Sequence, residues 1–356
     1  MDMNRYQRQT VLKDFGPIAQ RKLKDARILV VGAGGLGIPV LTYLNAMGVG
    51  TLGIIEHDHI EITNLQRQVL YGETDLGKPK LEVALDRLKI QNSATQFISF
   101  DGFLDRDNAL DIISQFDLVV DGSDNFPTRY LINDACVILK KPFVSGAIQG
   151  FEGQLGVFNH KGGPTYRCLF PRIPSGAEIP NCNENGVLGV VPGIIGSLQA
   201  LEAVKVVTDT GEVLSGKILL FNGLLQSYQT ITFKLCPDNA RIKELQKSYG
   251  VPSYETSPTI GIEELLKKID MEKEIQIIDV RTEEEFDNNS VAGLKSRNIP
   301  LDRLLETDLD MDLAKPVYLI CQSGKRSKVA QQVLKKRYKD LALFSVEGGV
   351  NGFLSI

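Results

Sequence analysis

Short β-branched runs alternate with helix-spaced apolar positions from Ala26 onward. Arg27–Val31 (RILVV) reads as a strand that ends in glycines, and Leu36–Met47 then carries apolar residues at helical spacing. Thr51–Ile55, Thr95–Phe100, Asp117–Asp121 and Pro142–Ser145 are further short apolar runs. Lys78–Ile90, Ala109–Ser114 and Pro127–Leu139 separate most of them as helices. Strands that alternate with helices predict a mostly parallel sheet covered on both faces. The texture changes after Gly146. Gln154–Phe158, Lys217–Phe221 and Gln229–Phe233 predict strands with polar interruptions, an antiparallel extension of the same sheet. Lys161–Gly186 is too rich in Pro, Gly and Asn, and too long, for an ordinary turn, whereas Gly193–Val207 reads as a buried helix.

A second, smaller α/β alternation occupies the end of the chain. Its helices are expected at Ile262–Ile269, Thr282–Phe286 and Arg326–Arg337, and its strands at Ile275–Val280, Val317–Ile320 and Ala342–Val346. Polar residues 237–257 between the two patterns read as a linker, so the domains are expected at 1–236 and 258–356. A length of 356 residues, 43% hydrophobic and 24% charged, fits two folded cores. No uninterrupted apolar run reaches the roughly 20 residues that span a bilayer, and the polar start MDMNRYQRQT lacks a secretory pattern. Five scattered cysteines do not make a disulfide framework, and a net charge of −4 offers nothing to nucleic acid. The expectation is a cytoplasmic enzyme or binding protein without membrane or nucleic-acid partners.

Candidate chemistry begins at Gly32-Ala-Gly34-Gly35-Leu-Gly37, directly after the first strand and at the start of the first helix. Glycines there let backbone approach phosphates, which the helix N-terminus favours. Glu56 ends the second strand, where a ribose hydroxyl is commonly bound. These features alone fit a nicotinamide-dependent dehydrogenase, or a glycine turn made only for tight packing. Additional charges alter the balance. Asn64 and Arg67, then Lys78 and Lys80, cluster after the second strand, and Asp121-Gly-Ser-Asp124-Asn125 ends a later one. Cations for phosphates and a carboxylate, Asp124, for Mg²⁺ suit a triphosphate; a dinucleotide needs no such carboxylate.

Arg5-Tyr-Gln-Arg8-Gln, the glycine motif, Asn64-Leu-Gln-Arg67-Gln, Gly77-Lys-Pro-Lys80, Asp121-x-x-Asp124-Asn125 and Gly193-x-x-Gly-Ser-Leu-Gln-Ala together resemble the MoeB/ThiF family over about residues 4–235. These are bacterial relatives of ubiquitin-activating (E1) enzymes. The resemblance implies a Rossmann-like, E1-like fold and adenylation of the C-terminal glycine of a small ubiquitin-like sulfur carrier with a Gly-Gly tail. It assigns ATP and Mg²⁺ to Gly32, Gly34, Gly35, Gly37, Glu56, Asn64, Arg67, Lys80, Asp124 and Asn125. It sends Arg8 to the ATP of a partner subunit, which implies a homodimer. Glu56 stands where many members have Asp. A carboxylate that attacks the α-phosphate brings two anions together, so Arg8, Arg67 and Lys80 are the expected catalytic cations; no general base is needed.

Many members also carry two Cys-x-x-Cys pairs that hold structural zinc. The matching stretches here are Thr165-Tyr-Arg-Cys168 and Cys236-Pro-Asp-Asn239, so no zinc site is expected. Cys182 lies in the Pro-, Gly- and Asn-rich stretch, at the family position assigned a covalent link to the activated carrier, and is the second candidate nucleophile. Cys136, inside an apolar helix, reads as core.

The remaining candidate is Cys321, followed by Gln322, Ser323, Gly324, Lys325 and Arg326 between a strand and a helix. Such a loop curls backbone N–H groups around a thiolate or persulfide, with Lys325 and Arg326 adding positive charge. Phosphatase loops of this kind have five residues between Cys and Arg; four are present here, a tighter loop suited to sulfur. With Asp279-Val-Arg281, Glu285-Phe286 and Glu347-Gly-Gly349, it resembles rhodanese over about residues 258–356. An E1-like domain joined to a small α/β rhodanese domain resembles adenylyltransferase–sulfurtransferases of molybdopterin synthesis or tRNA thiolation. Thiosulfate or a cysteine desulfurase would supply the sulfur. A thiamine-pathway adenylating enzyme, an oxidoreductase with a sulfur domain and a non-enzymatic docking protein remain as alternatives.

Overall fold

The computed structural model describes residues 3–173, 186–249, 258–271, 275–288, 294–306, 312, 315–338 and 341–353. The chain divides into two compact units at Gly250/Val251.

In the first unit the strands are β1 (Arg27–Val31), β2 (Thr51–Glu56), β3 (Gln96–Asp101), β4 (Leu118–Asp121), β5 (Phe143–Gln149), β6 (Glu152–Phe158), β7 (Lys217–Asn222) and β8 (Ser227–Thr232). They form one sheet in the order β3-β2-β1-β4-β5-β6-β7-β8, parallel through β5 and antiparallel beyond it, as the pattern predicts. Side-chain alternation along β1 explains the layers. Ile28 and Val30 join one core with Val40, Leu44 and Ala203 from covering helices, while Leu29 and Val31 join another with Ile112, Ile132 and Ala135. Gly53 leaves room in β2 for Phe116: a Cβ there would lie 2.3 Å from the ring. Helix Val190–Thr208 is long and apolar enough to cross a membrane by composition, yet half of that stretch is buried inside the unit. It starts before the predicted Gly193, with Pro192 in its first turn, where proline is tolerated. Helix Gly16–Asp25, unpredicted, packs against it.

Order reverses between β1 and β4, the place where open α/β sheets bind ligands beyond strand C-termini. The expected linker is partly folded structure. Residues 237–249 belong to the first unit, with Tyr249 5% exposed and its hydroxyl donating to Asp134 Oδ2 at 2.9 Å. A polar stretch hid one anchoring aromatic.

The second unit contains β9 (Thr259–Ile260), β10 (Gln276–Asp279), β11 (Arg297–Asn298), β12 (Val317–Ile320) and β13 (Leu343–Val346), all parallel in the order β11-β10-β12-β13-β9. The two-residue strands β9 and β11 carry no readable periodicity and were not expected. Val317, Leu319 and Cys321 share one core face, whereas Tyr318 and Ile320 share the other.

Candidate active sites

β1 passes into the glycine loop through Gly32, whose φ of +92° suits glycine and whose N–H donates to Ile55 O at 2.9 Å. Helix Gly37–Ala46 starts hard against that turn: a Cβ on Gly37 would fall 1.8 Å from Gly32 O. Gly34 and Gly35 differ. The nearest atom to a Cβ on Gly34 is Gln68 Nε2 at 3.6 Å, and on Gly35 it is Pro192 Cβ at 3.2 Å, with Arg67 Cδ at 3.5 Å. Gly32 and Gly37 therefore shape the loop, Gly35 packs closely against Pro192, and Gly34 is its open position, ahead of the helix N-terminus.

Glu56 is buried and its carboxylate is stitched to backbone. Oε2 accepts from Ala33 N at 2.8 Å, and Oε1 accepts from His57 N at 2.8 Å and Asp58 N at 2.9 Å. It holds the glycine loop to the end of β2, and Oε2 keeps acceptor capacity for a hydroxyl. Lys80 is 4% exposed and donates to Asp58 Oδ2 at 3.0 Å. The hydrogen bond from His57, helped by Lys80 and opposed by burial, holds the Asp58 carboxyl well below the usual carboxylate range. Tyr71 OH donates to Ala33 O at 2.9 Å and lies 3.3 Å from Lys80 O, tying the lysine to the loop. Asn64 uses its side-chain oxygen in its own turn, accepting from Glu61 N at 3.2 Å; Arg67, half-buried beside Gly35, donates to Thr63 O at 2.9 Å. Asp58 and Gln68 escaped the sequence reading. The signal for Asp58 was its place two residues beyond Glu56 at a strand end.

At the neighbouring strand end, Asp121 is fully buried. It accepts from Ser145 Oγ at 2.8 Å, Ser123 N at 3.0 Å, Ser123 Oγ at 2.6 Å and the buried Arg129 Nε at 3.3 Å. Gly122 N–H donates to Val31 O at 2.9 Å, joining this loop to the glycine loop. Asp124 is exposed and makes no ion pair or hydrogen bond among the described residues. Asn125, expected at the nucleotide, caps helix Phe126–Leu139 by accepting from Thr128 N at 2.9 Å.

Arg8 lies elsewhere. Its neighbours tether the segment to the far ends of two helices: Gln9 Nε2 donates to Met47 O at 3.0 Å, and Arg5 Nη1 to Gln91 O at 3.0 Å. Helix Gly37–Ala46 separates Met47 from the glycine loop by about 15 Å at 1.5 Å per residue. Arg8 is exposed there, away from its own chain's site.

Thr165, Cys168, Cys236 and Asn239 do converge. The Cys168 sulfur lies 3.3 Å from Thr165 Oγ1 and accepts from Cys236 N at 3.2 Å, with Asn239 Nδ2 at 4.0 Å. Asn239 also donates to Arg167 O at 3.0 Å. Hydrogen-bond donors aimed at one sulfur are a poor set for zinc, which prefers four thiolate or imidazole ligands. Cys136 is fully buried, and burial pushes its thiol well above the usual range. Cys182 lies outside the described residues.

In the second unit, Cys321 directly continues β12 and is 1% exposed. Gly324, at φ +85°, caps helix Lys325–Arg337, so residues 321–324 turn tightly around the helix start. Val350 N–H donates to Cys321 O at 2.8 Å and Asn351 N–H to Gln322 O at 3.0 Å. Gly349 must be glycine: its φ is +55° and a Cβ would lie 2.1 Å from Cys321 O. Gln322 is half-buried and Ser323 exposed. Arg326, expected as a free cation beside the sulfur, is engaged instead. Its Nη1 and Nη2 both meet the Glu285 carboxylate at 2.7 Å, which, against a smaller opposing effect of burial, lowers that carboxyl to about 2. Asp279 grips Arg281, whose Nη1 reaches Glu285 O at 3.2 Å and Gln322 Oε1 at 3.4 Å. These ion pairs hold the loop in place.

The geometry defines an α/β domain with a glycine loop, cations and a free carboxylate at its switch point, followed by a cysteine-loop domain. The ThiF family model matches residues 6–240, and the rhodanese-like domain model matches residues 262–356. The chain is 38% identical to the adenylyltransferase and sulfurtransferase MOCS3 of Culex quinquefasciatus, covering 96% of this chain and 84% of that one. It is 48% identical to a sulfur carrier protein adenylyltransferase of Thermus thermophilus, covering 68% of this chain and 94% of that one. E. coli MccB solved with ATP superposes with a TM-score of 0.59 at 25% identity, over 66% of this chain and 73% of that one. The chain belongs to the ThiF family and joins to it a rhodanese-like domain, an adenylyltransferase and a sulfurtransferase in one enzyme.

Proposed function

We propose that this enzyme uses ATP and Mg²⁺ to adenylate the C-terminal glycine of a ubiquitin-like sulfur carrier with a Gly-Gly tail, and then turns the acyl-adenylate into a thiocarboxylate with sulfur carried on Cys321. One observation carries the reading: Gly34, Gly35, Arg67, Lys80 and the free carboxylate of Asp124 flank one switch point, in a chain that also holds a tight loop with a buried cysteine. The glycine-loop amides and Arg67 would bind phosphate, Glu56 Oε2 the ribose, and Lys80 would exchange Asp58 for the triphosphate. Asp124 would hold Mg²⁺, which would supply the charge that lets a carboxylate approach the α-phosphate. The carrier carboxylate forms the new O–P bond and pyrophosphate leaves. The Cys321 persulfide then forms an S–C bond to the acyl carbon, and AMP leaves. Cys182 thiolate attacks the Cys321 sulfur of that acyl-disulfide, releasing the thiocarboxylate and leaving a Cys321–Cys182 disulfide for a thiol reductant. Molybdopterin synthesis is the favoured setting, with thiamine synthesis or tRNA thiolation differing only in carrier. The cysteines among the described residues are all free thiols, which supports a reducing, cytoplasmic setting.

The test mixes enzyme, ATP, Mg²⁺, thiosulfate or a cysteine desulfurase with cysteine, and each candidate carrier. Intact mass should show one carrier gaining a sulfur in place of an oxygen, with pyrophosphate released. No pyrophosphate with any carrier, together with NAD binding, would sink the reading in favour of an oxidoreductase.

The remote position of Arg8 supports action across a homodimer. Exposed Val11, Leu12, Ile18, Tyr43 and Leu201 lie on or before helix Val190–Thr208 and the helices Gly16–Asp25 and Gly37–Ala46 that pack against it, and supply an apolar surface for it. Arg8→Ala and Lys80→Ala should each be inactive in pyrophosphate exchange, and mixed, re-equilibrated protomers should regain activity because one site then has both cations. No recovery would mean that Arg8 does not work in trans.

The cluster at Cys168 supports a metal-free fold. Elemental analysis should find far less than one zinc per chain, and a chelator should leave the melting temperature unchanged. Stoichiometric zinc would overturn this.

A further inference from the structure

Cys321 Sγ sits over two buried hydroxyls that the sulfur chemistry described above does not use. Its side chain points to the β12 face shared with Val317 and Leu319, beneath helix Lys325–Arg337. The third residue of that helix is Ser327, and Ser345 comes from β13, paired with Leu319 of β12. Both serines are 0% exposed. The Cys321 thiol donates to Ser327 Oγ at 3.6 Å, Ser327 Oγ donates to Gly324 O at 3.0 Å, and the two hydroxyls are 2.7 Å apart. Ser345 Oγ also reaches Gly324 O, at 3.4 Å.

This arrangement satisfies the thiol; an anion needs it reversed. A sulfur anion at a 1% exposed position cannot rely on water and must be met by donors. The described charges around it are committed elsewhere: Asp279 to Arg281, Glu285 to Arg326, and Glu347 to the Thr259 hydroxyl. We infer that Ser327 is a hydroxyl switch for the Cys321 sulfur: when the thiol loses its proton, the Ser327 O–H turns from Gly324 O onto Sγ, and the Ser345 O–H donates to Ser327 Oγ across the 2.7 Å contact. The thiol proton leaves to solvent or to the sulfur donor; no proton is stored on the serines. A hydroxyl rotates about one bond, so both protonation states keep hydrogen bonds without movement of the backbone. Sequence reading pointed outward, to Lys325 and Arg326, and missed a partner six residues on.

This inference rests on Cys321 as the reactive sulfur of the proposed function. The test follows, in the full chain, the rate of iodoacetamide labelling of the Cys321 peptide against pH by mass spectrometry. A donor to the anion favours deprotonation, so Ser327→Ala should move the midpoint up by about one pH unit, the size of a hydrogen bond to a charged acceptor. Ser345→Ala should move it the same way by less, because Ser327 Oγ then loses the donor behind it, and Ser327→Thr should restore it. Should Ser327→Ala fail to fold, Ser345→Ala carries the test. A purely structural serine would slow labelling at every pH and leave the midpoint in place, and that result overturns the switch. Transfer of sulfur from thiosulfate to cyanide is measured alongside. Absence of transfer in the wild-type chain, with the midpoint still shifted in Ser327→Ala, would overturn the sulfur-carrier reading and leave the switch standing.

Discussion

Cys321→Ala should abolish thiocarboxylate formation and thiosulfate-to-cyanide transfer, a loss on the order of 10³-fold or more, because the reacting atom itself is removed. Carrier-dependent pyrophosphate exchange should be unchanged. The argument is one of separation: the cysteine loop is built wholly within the second unit, from β12, helix Lys325–Arg337, Arg281, Glu285 and Gly349. Since the Cys321 side chain is buried against Leu319 and Ala330, alanine leaves a small void, and Cys321→Ser controls for that by filling it with a hydroxyl. Both variants should behave alike. If pyrophosphate exchange disappears together with sulfur transfer in a variant that still melts cooperatively, the assignment of adenylation to the first unit and sulfur to the second is wrong.

The second large effect is on stability. Asp121→Ala should cost about 3–5 kcal/mol in urea unfolding of the first unit, the range for breaking a buried ion pair from one side. Arg129 would keep Ser123 O at 3.2 Å and the face of Phe126, but its charge would lie buried without a counterion. The Ser145 and Ser123 hydroxyls would lose an acceptor as well. Asp121→Asn keeps the volume and one acceptor, so an intermediate loss is expected. Pyrophosphate exchange should fall in both, since the loop that presents Asp124 begins at this anchor. A cost below about 1 kcal/mol, ordinary for a surface substitution, would contradict the pairing. The sequence presents Asp121 and Asp124 as equivalent acids three residues apart; burial gives one the anchor and leaves the other free.

Other features divide the same way. The sheet was legible because parallel strands buried on both faces must be apolar along their interiors, as Ile28–Val31 of β1, Leu52–Ile55 of β2 and Leu118–Val120 of β4 are. The glycine loop and the cysteine loop were legible because their chemistry depends on neighbours within six residues, whose spacing is visible along the chain. Strand β11, with two residues, was not, because two positions hold no period. Nor was Tyr249, whose anchoring partner is Asp134, far back in the chain.

The sequence by itself thus determined two α/β units, a glycine-rich loop after the first strand, a tight cysteine loop and the half-depleted cysteine pairs. All of these follow from local periodicity or from fixed spacing. Only the tertiary structure decided which charges are spent and which remain. It pairs Lys80 with Asp58, Arg326 with Glu285 and Asp121 with Arg129, and it leaves Asp124 exposed. It also puts Ser345, from a neighbouring strand, within reach of Ser327 beneath Cys321. Ion pairs and hydroxyl contacts form across gaps of a few ångströms set by how strands and helices pack. Residues 8 to 41 positions apart meet there, and no local pattern along the chain records which of them will.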